Sequence, residues 1–202
     1  MEPRTLKFVV IAALLSLAAS SQPATAEQPT ASAVVETLHA SLLEVMRDAE
    51  ALGFSGRYEK LSGVVANNFD FLTIAKVVTG RNWKTASDDQ KRSFLEVFQQ
   101  LSTATYASNF SGYGGEQFRT VSTEPVRGGT VVKTELVKTG GEAISLNYML
   151  RESNERWQIV NVTAQGVSDL SLKRAEYTAV INSEGLDSLV EKLRSKVSQM
   201  GR

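Results

Sequence analysis

The spacing of apolar residues changes twice along this chain, and that constrains the fold more than any other feature. Up to about Phe110 apolar residues recur every three or four positions, from Gln117 to Ala164 they alternate, and from Ser168 the helical spacing returns. A helix buries one side on a 3.6-residue period, whereas a strand buries alternate residues. Helices, then strands, then helices imply an α+β domain in which an antiparallel sheet is covered by helices on one face.

In the first block Val34, Leu38, Leu42, Val45, Ala49 and Leu52 predict a helix over 30–53, with Gly53 as its stop. Arg57–Ala66 and Phe71–Val78 predict two shorter helices, the second closed by Gly80. Ser87-Asp88-Asp89-Gln90 has the spacing of a capping box and opens a long helix to about Phe110, in which Phe94, Phe98, Leu101 and Thr105 share a face. Four strands are predicted over Gln117–Thr123, Thr130–Thr139, Glu142–Arg151 and Arg156–Ala164. The connections hold Pro125 with Gly128-Gly129, Gly140-Gly141 and Ser153-Asn154-Glu155, which is short-turn chemistry, so the strands form an antiparallel meander. Leu172, Ala175 and Tyr177–Ile181 mark a further helix, Gly185 breaks it, and Leu186, Leu189, Val190, Leu193 and Val197 mark the last.

Residues 1–26 stand apart. Arg4 and Lys7 flank the start of the apolar run Phe8–Ala19, and Ala24-Thr25-Ala26 puts small residues at −3 and −1, which is what signal peptidase reads. The run falls short of the roughly 20 residues a membrane span needs. Cleavage after Ala26 leaves 27–202 as a single domain in the periplasm, mainly helical over 27–110, sheet over 117–164 and helical again over 168–200. The chain has no cysteine, which excludes a lipidated anchor, disulfides, thiolate metal sites and a cysteine nucleophile. Stability must then come from one hydrophobic core, which a chain of about 175 residues can build. Formal net charge is zero, which argues against nucleic acid as a partner.

Catalytic chemistry has little support. His39 is the only histidine, with no orienting carboxylate or nucleophile legible near it, and reads as a surface or partly buried helix residue. Asp88 and Asp89 suit the positive end of a helix dipole. Glu135, Glu142, Glu152 and Glu155 alternate with basic residues on solvated strand faces and turns, and no metal-ligand cluster exists. In the third strand Ile144, Leu146, Tyr148 and Leu150 point one way, and in the second Val132, Thr134 and Leu136 share a face. Periodicity alone leaves a filled core and a greasy cavity both open, the filled core being the simpler reading.

Several segments resemble a known family. Gly80-Arg81-Asn82-Trp83 and the helix Gln90–Phe98, the strand Trp157–Val162, and Gly166-Val167-Ser168 running on to Glu184-Gly185-Leu186-Asp187 are similar to the MlaC (toluene-tolerance) family of periplasmic lipid-binding proteins. Asn161 departs from it, standing where that family often has aspartate. Tyr106–Phe110 with Gly112-Tyr113 and Gly115-Glu116 looks most like its hopanoid-associated HpnM branch. The resemblance implies an NTF2-like α+β fold around an apolar pocket. It also implies a monomeric carrier, not an enzyme and without a cofactor, that moves lipid between an inner-membrane transporter complex and an outer-membrane lipid complex. Phospholipid is the default cargo, a hopanoid the alternative; an NTF2-like enzyme acting on a small apolar substrate, or an adaptor with a filled core, are the rivals. Phe94, Phe98, Leu101, Leu136, Ile144, Leu146, Tyr148, Leu150, Val160 and Val167 are the expected lipid-binding residues, with Gly80–Trp83 and Ser111–Gly115 rimming the mouth. Intact-mass analysis of protein released by osmotic shock should give a chain starting at Glu27; a membrane-bound species retaining Met1 would overturn the soluble-carrier expectation.

Overall fold

The computed structural model describes residues 30–201; the cleavage signal expected at Ala24–Ala26 lies outside the described residues. Helix α1 (Ala31–Arg47) starts at Thr30, whose hydroxyl accepts from the Ala33 amide, and α2 (Ala49–Asn68) follows after a single residue. The expected stop at Gly53 is instead a kink inside α2. Its φ of +59° is open to glycine without a Cβ clash, so the chain bends there and resumes the helix. Arg57 fixes this bend: its Nε donates to the Ala107 carbonyl and its Nη1 to the Ala49 carbonyl, both at 2.9 Å. The buried cation thereby meets the Ala107 carbonyl in the last turn of α5, where the dipole favours it, and ties it to the Ala49 carbonyl at the start of α2.

After α3 (Phe71–Thr79) and the one-turn α4 (Asn82–Thr85) comes α5 (Asp88–Asn109), opened by the predicted capping box. Gln90 N donates to Ser87 Oγ, and Ser87 N donates to Gln90 Oε1, each at 3.1 Å. The sheet then runs β1 (Gln117–Val126), β2 (Gly129–Val137), β3 (Ala143–Ser153), β4 (Arg156–Ala164) and β5 (Val167–Ser168), with strands neighbouring in chain order and all pairs antiparallel. Five strands, not four, make the sheet. Residues 167–168 are too few to show an alternating pattern, and only their pairing with Ala164 and Thr163 reveals a strand. Helices α6 (Asp169–Glu184) and α7 (Leu186–Met200) meet at Gly185.

Two bulges bend the sheet, at Val121 in β1 and at Val160 in β4. The second sets up everything near the site. Because Leu150 pairs with Ile159 while Met149 pairs with Asn161, Val160 is the extra residue, and Ile159 and Val160 are both buried. The Ile159 carbonyl accepts from Asp70 N at 3.0 Å, and Gln158 Nε2 donates to the Asn67 and Phe69 carbonyls. The α2–α3 junction is thus tied to the bulge. The inward face carries Val132, Thr134, Tyr148, Leu150 and Ile159, all at most 1 % exposed, against a core built by α1, α2, α5 and α7.

Gly129, at the start of β2, is required by a close approach: a Cβ there would collide with the Leu150 carbonyl oxygen and crowd the Met149 methyl. Gly129→Ala should destabilise the fold by about 3 kcal/mol, read as a lowered urea midpoint; an unchanged midpoint would show that β2 and β3 are not this close.

Candidate functional site

Not all of the inward sheet face is filled. Between β2, β3 and β4 on one side and α3, α5 and α6 on the other lies a cavity of about 350 Å³. The sheet contributes Leu136, Ile144, Leu146, Tyr148, Val160, Val162 and Ala164. Pairing explains the grouping: Leu136 is opposite Ile144, Leu146 opposite Ala164 and Tyr148 opposite Val162, and residues directly opposite share a face. Phe69, Phe71 and Ile74 come from the α2–α3 junction pinned to the β4 bulge. The α5 stripe is Phe98, Ser102, Thr105, Tyr106, Asn109 and the capping Phe110; α6 adds Asp169, Leu170 and Lys173. Asn109, Ala164 and Asp169 are the exposed members and mark the mouth.

The wall is more apolar than its residue names suggest. Ser102 Oγ donates to the Phe98 carbonyl at 2.9 Å and Thr105 Oγ1 to the Leu101 carbonyl at 2.8 Å, so both hydroxyls spend their protons on their own helix. Aromatic rings dominate. Phe69 meets Phe71 and Tyr106 at 5.9 and 5.8 Å between centroids, Phe71 meets Phe98 edge-on at 5.7 Å, and Tyr106 stacks on Phe110 at 5.9 Å. Burial pushes the Tyr106 hydroxyl well above its ordinary range, so it stays neutral.

Six of the residues expected from sequence line this cavity: Phe98, Leu136, Ile144, Leu146, Tyr148 and Val160. Four do not. Phe94 is fully buried in the filled core, stacked on Phe98 at 5.5 Å and edge-on to Tyr177 at 6.2 Å. Leu101 is 3 % exposed and lies about 60° around α5 from Phe98, outside the stripe 98–102–105–109. Leu150 shares the face of Leu146 but lies farther along β3, where the core is filled. Val167 is 52 % exposed; paired with Ala164 on the short edge strand, it sits at the rim. Trp83 is a core residue, absent from the cavity wall, and Gly80 faces Thr178 on the C-terminal half of α6, so the Gly80–Trp83 loop does not rim the mouth. Ser111–Gly115 does follow directly on the lining residue Phe110.

Sequence reasoning missed the α3 and α6 walls. Phe71 and Ile74 were legible as a helix face, but only the bulge-to-junction hydrogen bonds aim them here. Asn161, the departure from the family's aspartate, has a clear local role: its Oδ1 accepts from Ser168 Oγ at 3.0 Å and from Leu170 N at 3.1 Å, holding the start of α6 against β4.

Nothing catalytic is assembled among the described residues. No group of three or more potential metal ligands occurs there. His39 is buried rather than at the surface: it stacks on Phe118 at 3.8 Å and its Nε2 lies 3.0 Å from the Tyr148 hydroxyl. Burial lowers its pKa to about 4.

With this geometry in place, the comparisons define the class. The fold matches that of a solved phospholipid-binding protein from Ralstonia solanacearum in complex with a phospholipid, with a TM-score of 0.75 and 19 % identity over 85 % of this chain and 99 % of that one. The family model for MlaC protein matches residues 36–195, and the chain belongs to that family. A relative from Haemophilus influenzae, the intermembrane phospholipid transport system binding protein MlaC, is 24 % identical over 127 residues. That match takes in 60 % of this chain and spans 59 % of the relative's length.

The His39 burial has a consequence for stability. The unfolded imidazole takes up a proton near pH 6.5 and the folded one only near 4, so within that window the unfolded state binds more protons and stability rises with pH. Going from neutral pH to about pH 4, the wild type should lose on the order of 3 kcal/mol more than His39→Gln. Parallel pH profiles in urea unfolding would show that His39 is accessible to protons in the fold.

Proposed function

We propose that this protein is a periplasmic carrier of phospholipid, not an enzyme, which shelters acyl chains in the cavity while the headgroup stays at the mouth. The observation that carries the reading is the aromatic and aliphatic cavity itself, in a chain of the MlaC family. The relatives' descriptions, a phospholipid-binding protein and an intermembrane phospholipid transport system binding protein, support the cargo class. An NTF2-like enzyme would need a free acid or base aimed into the cavity. Here Tyr148 is engaged by His39, burial keeps the Tyr106 hydroxyl neutral, and Asp169 is paired with Lys173 at the mouth.

The physics of the task fits this wall. Each methylene exposed to water costs about 0.8 kcal/mol. A two-chain lipid with about 30 methylenes would therefore face a penalty above ~20 kcal/mol if carried bare. A methylene takes up about 30 Å³, the share of a water molecule, so the cavity as it stands holds about a dozen. A full two-chain cargo therefore requires the walls to part. Ser111–Gly115, largely exposed, rich in glycine and directly following the lining residue Phe110, is the rim segment best placed to move. On this reading an inner-membrane transporter complex and an outer-membrane complex load and unload a monomeric, NTF2-like carrier. A hopanoid is the second reading for the cargo, favoured by the aromatic rings of Phe69, Phe71, Tyr106 and Phe110, which offer flat faces to a rigid ring system.

The test is mass spectrometry of an organic extract of the folded protein. Wild type should release phospholipid, and Leu146→Glu, which puts a carboxylate in the apolar wall at a cost of several kcal/mol, should come out empty. Val167→Glu, at the rim, should keep its load. Wild type without lipid, or a folded Leu146→Glu with a full load, would overturn the carrier reading.

A further inference from the structure

The inward stripe of α6 contains one residue of the wrong chemistry. Leu170, Lys173, Tyr177 and Ile181 follow at spacings of three and four, and Tyr177 and Ile181 are buried at 2 % and 8 % exposure. Lys173 occupies a position where this stripe calls for an apolar side chain. Its side chain is only 22 % exposed and lines the cavity close to the mouth. Among the described residues lining the cavity it is the single cation, and Asp169 the single carboxylate.

The present partner of Lys173 is easily exchanged. Lys173 Nζ pairs with Asp169 Oδ1 one turn earlier, but the Asp169 side chain is 57 % exposed, so water can replace the lysine at little cost. The helix N-terminus itself is not available to an anion: Leu170 N already donates to Asn161 Oδ1 and Ser171 N to Ser168 Oγ. Asn161 has a further role here. Its Nδ2 reaches only Thr163 Oγ1, at 3.5 Å, so a donor in the cavity that Lys173 also lines remains to be used, and an aspartate in its place would add negative charge there.

We propose that Lys173, helped by the Asn161 Nδ2 donor in the same cavity, binds the phosphate of the cargo's headgroup and so makes this cavity select phospholipids over uncharged lipids with the same tails. The proposal rests on the carrier reading above and names the recognition chemistry of that site. Loading exchanges the Lys173–Asp169 pair for a Lys173–phosphate pair, and the tails lie inward along Leu146 and Phe98. The lysine therefore fixes which end of the lipid faces the mouth.

Two probes sharing the same acyl chains, one labelled on a chain as phosphatidylglycerol and one as diacylglycerol, separate the two readings when offered to the full-length carrier from neutral vesicles. Wild type should prefer the phospholipid by about tenfold, the scale of one hydrogen-bonded charge pair. Lys173→Met, which restores the apolar stripe and should fold at least as well, should bind both probes equally while holding diacylglycerol within about twofold of wild type. Lys173→Arg should keep the preference, and Asp169→Asn, by freeing the lysine, should increase it. Millimolar inorganic phosphate, lacking tails, should displace neither probe. Failure of wild type to take up either probe would sink the carrier reading. Uptake of both without preference, a preference surviving in Lys173→Met, or displacement by inorganic phosphate would overturn this proposal and leave the carrier reading standing.

Discussion

Tyr148 stands where the inward face of the sheet passes from filled core to open cavity. Its ring lines the cavity, and its hydroxyl meets His39 of α1 at 3.0 Å. On the α1 side of this contact Val132, Leu150 and Ile159 are fully buried. On the other side Ile144, Leu146 and Val162 on the same face are only half-buried and line the cavity. A polar pair at such a boundary would be expensive if unmatched; matched, it spares the protein a buried orphan at the end of its core.

Leaving part of a sheet uncovered works against folding. Interiors pack densely, and apolar walls held apart forfeit the contacts they would make with one another. Two features keep the walls apart. The β4 bulge turns the Ile159 carbonyl toward Asp70 and holds Phe69 and Phe71 at a fixed distance from the sheet. The aromatic contacts from Phe71 through Phe69 and Tyr106 to Phe110 then support one another as rigid plates that do not collapse inward as longer aliphatic chains would. In the proposed carrier a lipid tail in this space would complete a core that the protein leaves unfinished.

The candidate site was half legible in the sequence, and the split has a geometric cause. Residues on β2 and β3 were readable because alternation alone puts Leu136, Ile144, Leu146 and Tyr148 on one face. Along α5, Phe94 and Leu101 looked equivalent to Phe98, since all three are apolar at helical spacing. Only the folded contacts separate core from cavity: Phe98 meets the lining residue Phe71, Phe94 is enclosed by Phe98 and Tyr177, and Leu101 is turned away from the stripe. Val167 looked internal as an apolar residue between strand and helix, but the strand that holds it is an exposed edge. Ser102 and Asn109 do not look like cavity residues because they are polar by name, and the hydrogen bonds that Ser102 and Thr105 make within α5 are visible only in the folded helix.

Local chemistry determined what could be read without coordinates. The period of apolar residues set the order of helices and strands, Ser87 and Gln90 set the start of α5, and the glycine-bearing connections between β1 and β2 and between β2 and β3 set the antiparallel meander. Each depends on residues a few positions apart, and the chain carries that information directly. Tertiary structure alone decided the fifth strand, the burial of His39 beneath the sheet, the kink rather than the stop at Gly53, and the division of one apolar face into core and cavity. Those outcomes depend on contacts such as Asp70 with Ile159, Arg57 with Ala107 and His39 with Tyr148, joining positions 50 or more residues apart. Apolar spacing records that a side chain leaves water, but what it meets on leaving is fixed only when distant segments pack.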